Sequence, residues 1–172
     1  MTWIELAGQA VSLTAFALCM AAFASKRDER LLRLLVSANI AFALQFALFG
    51  SWTAALLSLL VVVRILLARR FARNLTVMLL VLAASLVAAW LTWRGPLDLL
   101  PLAATFMGAL GMFMLRGIPM RLMLAGAGSA WLLSNLVIGS VGGTLAEAAV
   151  VVMNLVTVAR LLLDRQQTAP HA

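Results

Sequence analysis

Apolar stretches near or above the ~18 residues that can cross a bilayer recur along the whole chain. Seven can be read, over about 3–25, 31–50, 53–69, 75–93, 97–115, 121–139 and 143–163. A backbone in lipid must satisfy its own hydrogen bonds, so helices are the only choice for runs this continuous. A membrane barrel would show short alternating strands instead. The expected class is all-α membrane, with seven transmembrane helices. Residues 1–172 should form a single integral membrane domain with membrane lipid around it. Composition agrees, at 65% apolar and 11% charged, where a soluble domain has about 45–50% and about 25%.

The net charge of +7 does not point to nucleic acid, because the cations sit at the edges of the apolar runs. Eleven fall in one set of connections and the C-terminal segment: 26, 27, 30, 33, 69, 70, 73, 116, 121, 160 and 165. The opposite set holds Arg94 alone. Positive charge accumulates on the cytoplasmic side. The expected placement is therefore a bacterial inner membrane, N-terminus outside and C-terminus cytoplasmic. No basic face with interleaved aromatics remains for a phosphate backbone. Ala22-x-Ala24 mimics a signal-peptidase site. Yet Glu5 precedes the first apolar run and "KRDER" follows it, the reverse of a secretory signal. That run is read as a retained helix. Cys19 is the only cysteine, so no intrachain disulfide is expected.

The chain also repeats itself. "FALFGSWTAALLSLLVVVRILLARR" lies over "NLVIGSVGGTLAEAAVVVMNLVTVARLLLDR" once one residue is inserted at Gly142–Gly143. Gly50 then matches Gly139, Phe42 matches Trp131, Arg70 matches Arg160, and Arg64 falls on Asn154. The expected layout is 3+1+3: a first three-helix repeat over 1–73, a linker helix over 74–94, a second repeat over 95–165, and a cytoplasmic tail over 166–172. An odd linker helix is what restores parallel orientation. Parallel repeats about the membrane normal are a known transporter plan, with the solute near the midplane between the halves.

Three stretches, "FASKRDERLLRLL", "FGSWTAALLSLLVVVR" and "GSVGGTLAEA", resemble the YgjV-type family of bacterial inner-membrane proteins over nearly the whole chain. The 3+1+3 layout is also distantly similar to the SWEET and PQ-loop superfamily of small facilitators. The latter resemblance implies a sugar-sized solute between two triple-helix bundles, touched by an asparagine on span three and another on span seven. Asn154 stands at the second position and Arg64 at the first. Of the superfamily's hinge prolines on spans one, two, five and six, only Pro101 has a counterpart here.

Arg64 is the residue most in need of explanation. It lies inside "SLLVVVRILLARR" (58–70), roughly 7–13 Å below the edge marked by Arg69–Arg73 at about 1.5 Å per residue. A snorkelling cation would reach headgroups at modest cost. A cavity-facing cation would anchor a solute, because ionisable groups at depth usually face protein or water. The match to Asn154 favours the cavity. Glu147 is its expected partner, directly or through a bridging water, although a glutamate near a helix N-terminus is also favoured by the helix dipole. Trp131 and Asn135, four apart, share one face of span six and complete the candidate solute contacts.

Gln9, Asn39, Gln45 and Ser58 are read as interhelical glue, and Gly8-x-x-x-Ser12 and Ala104-x-x-x-Gly108 as close-packing faces. Trp3, Trp52, Trp90 and Trp93 fall at the outer ends of spans, as an aromatic belt. Met107, Met112, Met114, Met120 and Met123 have no cysteine or histidine beside them, since His171 is in the tail; they are read as packing rather than a soft-metal path. No metal site and no cofactor are expected. There is no HExxH, no Walker loop and no pair of carboxylates at one depth, so an enzyme is not expected either. The expected function is a facilitator or secondary carrier of a small polar solute, with anions among the candidates. The alternative is a non-transporting assembly subunit or sensor in which Arg64 locks the helices. Seven short spans are also compatible with a homo-oligomer.

Overall fold

A computed structural model describes residues 2–25 and 28–168. They form α1 (Trp3–Phe23), α2 (Asp28–Leu48), α3 (Trp52–Arg70), α4 (Leu75–Thr92), α5 (Leu99–Met114), α6 (Gly117–Val137) and α7 (Val141–Thr168), with a 3-10 turn at Pro96–Asp98 leading into α5. Lys26, Arg27 and His171 lie outside the described residues. The segment expected as a tail over 166–172 is still helical as far as Thr168, and its remainder lies outside them too.

Local chemistry sets the ends. Thr2 caps α1 in a capping box, its hydroxyl accepting from Glu5 N at 3.2 Å while its own N–H donates to Glu5 Oε2 at 2.8 Å. Asn74 caps α4, accepting from Val77 N at 3.0 Å. α2 and α6 end alike. Gly50 and Gly139 take left-handed backbone, with φ of 77° and 74°, where a side chain would be strained. The next N–H then reaches back five residues, Ser51 N to Phe46 O at 2.8 Å and Ser140 N to Asn135 O at 2.9 Å. This is the Schellman closure of a helix C-terminus.

Among the described residues six helices are long and apolar enough to cross a membrane, and α6 is the one of the seven that is not. Its 21 residues match its neighbours in length, but Arg121, Ser134, Asn135 and its glycines dilute its hydropathy. Apart from Gly117 at its exposed start, those residues face protein. Arg121 reaches Asn154, Gly128 abuts Val150 and Val151, and Asn135 lies against Gly143. Steps of seven on α6 run down α7 as they run up α6, so the two helices are antiparallel over the whole length of α6. Gly111 against Met123 and Gly126 against Met107 place α5 antiparallel along its other side. The methionine side chains at 107 and 123 are packing groups here.

The principal helix contacts run α1–α2–α3–α5–α6–α7 and back to α1, while α4 packs mainly on α3 and α5. The main core gathers Ala15, Ala38, Phe42, Phe46, Leu57 and Trp131 inside that circuit. A smaller one joins Met78 and Val81 of α4 to Ala68, Ala109 and Phe113. Small residues dominate because lipid tails are as apolar as leucine, so helix association gains from close packing rather than from leaving water. The rest of α4 carries Leu79, Leu80, Leu86 and Val87 outward, all exposed, as a lipid-facing surface requires. Trp3, Trp52, Trp90 and Trp93 are all exposed toward one end of the bundle, called here the tryptophan end. The opposite, basic end carries Arg69, Arg70, Arg73, Arg116 and Arg160.

Candidate functional site

A cavity of about 270 Å³ lies inside the circuit, reaching from mid-bundle toward the basic end. Arg64, Glu147, Asn154 and Trp131 all line it. The four sequence positions come from three helices and meet only in the folded chain.

Arg64 is buried, 6% exposed, so it does not reach headgroups. Its guanidinium lies against α5, where Nη1 donates to Thr105 O at 3.1 Å. Gly108 makes this possible, since a Cβ there would collide with the guanidinium. The Ala104-x-x-x-Gly108 face is thus a close-packing face, but its glycine accommodates a cation rather than a backbone. Thr105 Oγ1 is turned away to Pro101 O at 2.9 Å. Arg64 Nε is buried with no hydrogen-bond partner. A guanidinium has five N–H donors, and this one makes a single hydrogen bond among the described residues. Burying an undersatisfied charge is costly.

Glu147 faces the same cavity. It and Arg64 do not come within the 4.0 Å of an ion pair. The direct bridge expected between them is therefore not made. Asn154 Nδ2 donates to Val150 O at 2.8 Å, one turn back on its own helix, and its Oδ1 accepts from Arg121 Nη1 at 3.5 Å.

Arg121 is the residue that sequence reasoning missed. It counts among the basic residues at a helix boundary, yet it is half-buried and lines the cavity. Its signal was the seven-residue spacing to Gly128 and Asn135, which puts it on the face of α6 that meets α7. Asn39 also lines the cavity, with Nδ2 on Leu35 O at 2.8 Å, and Phe42 and Cys19 complete its α1–α2 side.

Asn135 lies elsewhere. It is fully buried nearer the tryptophan end, where its Oδ1 accepts from Gln45 Nε2 at 2.6 Å and its Nδ2 donates to Trp131 O at 3.0 Å. Ser140 Oγ donates to Gln45 Oε1 at 2.9 Å and accepts from Gly143 N at 3.2 Å. This ties α2, α6 and α7 together beyond the cavity. Phe46 and Trp131 pack beneath it with ring centroids 5.4 Å apart. A second clamp comes from α1. Gln9 Nε2 donates to Gly139 O at 2.6 Å, Gln9 Oε1 accepts from Val141 N at 3.1 Å, and Ser12 Oγ accepts from Gly142 N at 3.2 Å. Gln9 and Gln45 are the glue they were expected to be. No cluster of three or more metal-binding side chains occurs among the described residues.

A family model described as "Bacterial inner membrane protein" (Imp-YgjV) matches residues 6–165. The inner membrane protein YgjV of Escherichia coli strain K12 is 26% identical over 152 residues, covering 88% of this chain and 82% of that protein. No solved structure matches the chain. The chain belongs to the YgjV family and is a multi-pass bacterial inner membrane protein.

Proposed function

We propose that this protein is a facilitator or secondary carrier that moves a small polar solute through the cavity between two three-helix halves, α1–α3 and α5–α7. The observation that carries the reading is the cavity itself, which holds a buried arginine with all but one of its hydrogen bonds unmade. A cation that only locked helices would be matched with acceptors.

The circuit of helix contacts supports the repeat. Pairs α1–α2, α2–α3 and α3–α5 recur as α5–α6, α6–α7 and α7–α1, leaving α4 as the linker. Matched positions also serve alike. Phe42 and Trp131 face one cavity, as do Arg64 and Asn154, and Gly50 and Gly139 end their helices with the same left-handed turn. In this reading α6 crosses with its neighbours, its polar groups shielded by α5 and α7, giving seven crossings. The basic end is then cytoplasmic and the tryptophan end outside.

The cavity would be the inward-facing state of an alternating-access cycle. The Gln45–Asn135–Ser140 bonds and the Phe46–Trp131 contact shut the outer side. Interhelical hydrogen bonds in membranes average only about 0.6 kcal/mol each, so a latch of a few such bonds can open thermally. The chain acts by binding and movement, without enzymatic chemistry.

Uptake into proteoliposomes of labelled sugars, amino acids and small organic acids tests this. Protein-dependent, saturable uptake of at least one class is expected, with a loss of at least tenfold in Arg64→Gln. A folded protein that takes up none would instead be an assembly subunit or sensor.

A further inference from the structure

The chemistry left free in the cavity narrows the solute, provided the carrier reading holds. Asn39 and Asn154 each donate one amide N–H to a carbonyl of their own helix, and the Asn154 oxygen accepts from Arg121. Each amide keeps part of its hydrogen-bonding capacity, but the strongest donors left in the cavity are cationic: those of Arg64 and the remaining N–H groups of Arg121. Two guanidinium cations line the site, Arg64 and Arg121. An anion is their complement, whereas a neutral solute or a zwitterion leaves their charge uncompensated in a low-dielectric site, which is costly.

Size and lining add the rest. About 270 Å³ corresponds to the liquid volume of on the order of nine waters. Much of the remaining lining is apolar, with Phe42, Ile65 and Trp131. Guanidinium groups match the two oxygens of a carboxylate bidentately, and the single bond of Arg64 to Thr105 O leaves donors for one.

We infer that the cavity is a binding site for a small organic monocarboxylate, its carboxylate held by Arg64 and Arg121 and its apolar body lying against Phe42, Ile65 and Trp131.

Three probes of one carbon skeleton separate the possibilities in calorimetric titrations of the detergent-purified protein: 4-methylpentanoate, leucine and 4-methylpentan-1-ol. The carboxylate should bind at least tenfold more tightly than the other two. Arg64→Gln should weaken it at least tenfold, Arg121→Gln should weaken it severalfold, and Glu147→Gln should not weaken it, because the carboxyl group does not hold the ligand. Should Arg64→Gln not fold, Arg121→Gln and Glu147→Gln decide, because an amphoteric site would make Glu147→Gln weaken leucine binding instead. Leucine binding as tightly as the acid, the alcohol binding equally, or no binding of 4-methylpentanoate would each overturn the inference. So would dodecanoate displacing the short acid at lower concentration, which would assign the site to acyl chains from the bilayer. Carboxylate binding without uptake into liposomes would remove the carrier reading and leave the site. Uptake of another solute without carboxylate binding would do the reverse.

Discussion

Arg64 and Gly108 are one feature seen from two helices. A planar guanidinium can lie flat on α5 only where no Cβ projects, and Gly108 is that gap. The cost of filling it is set by what must move, here the far end of a long side chain. Gly108→Ala should therefore lower stability by about 1–2 kcal/mol, within the usual range for overpacking. The loss should shrink in an Arg64→Leu background, because the clashing group is gone. A thermodynamic cycle from the melting of detergent-solubilised variants should show a coupling above about 0.5 kcal/mol. Strict additivity would mean that the guanidinium does not rest on Gly108. That α3 carries a cation deep in an apolar run was legible from sequence. That its seat is a glycine 44 residues later was not, since helix spacing says nothing about which helix lies opposite.

Among elements, the turn between α6 and α7 is held hardest. α1 grips it through Gln9 and Ser12, α2 through Gln45, and a Cβ on Gly142 would strike the Ser12 backbone itself. Backbone cannot swing aside as a guanidinium can. Gly142→Ala should thus cost about 3 kcal/mol or prevent folding, clearly more than Gly108→Ala. Comparable melting temperatures for the two would show that α1 and α7 do not approach so closely. The sequence "GSVGG" marks a turn on its own. Its second role, letting α7 close the helix circuit onto α1, needed the third dimension. The same holds for α6. Its polar positions lower its hydropathy, and only packing against α5 and α7 explains how such a helix keeps its place among apolar ones.

For the molecule as a whole, the basic count and the fold make one joint prediction. The turns after α2 and α6 share the tryptophan end with Trp93, and Arg73 is at the other. Cys19 is buried, so the native protein should give little background with an impermeant thiol reagent. Trp52→Cys and Val141→Cys, both at exposed positions, should label in intact cells, and Arg73→Cys only after lysis. The reverse pattern would invert the orientation. Labelling of Trp52→Cys and Val141→Cys from opposite sides would mean that the helices between them do not alternate as seven crossings.

The all-helical membrane class, the element count and the boundaries to within a few residues follow from the sequence by itself, because a bilayer leaves a backbone only one way to satisfy its hydrogen bonds over a long apolar run. The same logic picks out ionisable groups within the spans such as Arg64 and Glu147, which stand out against an apolar background. What it cannot assign is direction around the helix axis in a chain that is apolar on nearly every face. Lipid and core ask for the same residues, so no hydrophobic stripe marks the inside. Only the tertiary structure could send Asn135 to the latch beside Gln45, turn the boundary cation Arg121 inward to Asn154, and hold Arg64 and Glu147 apart across a cavity rather than in contact.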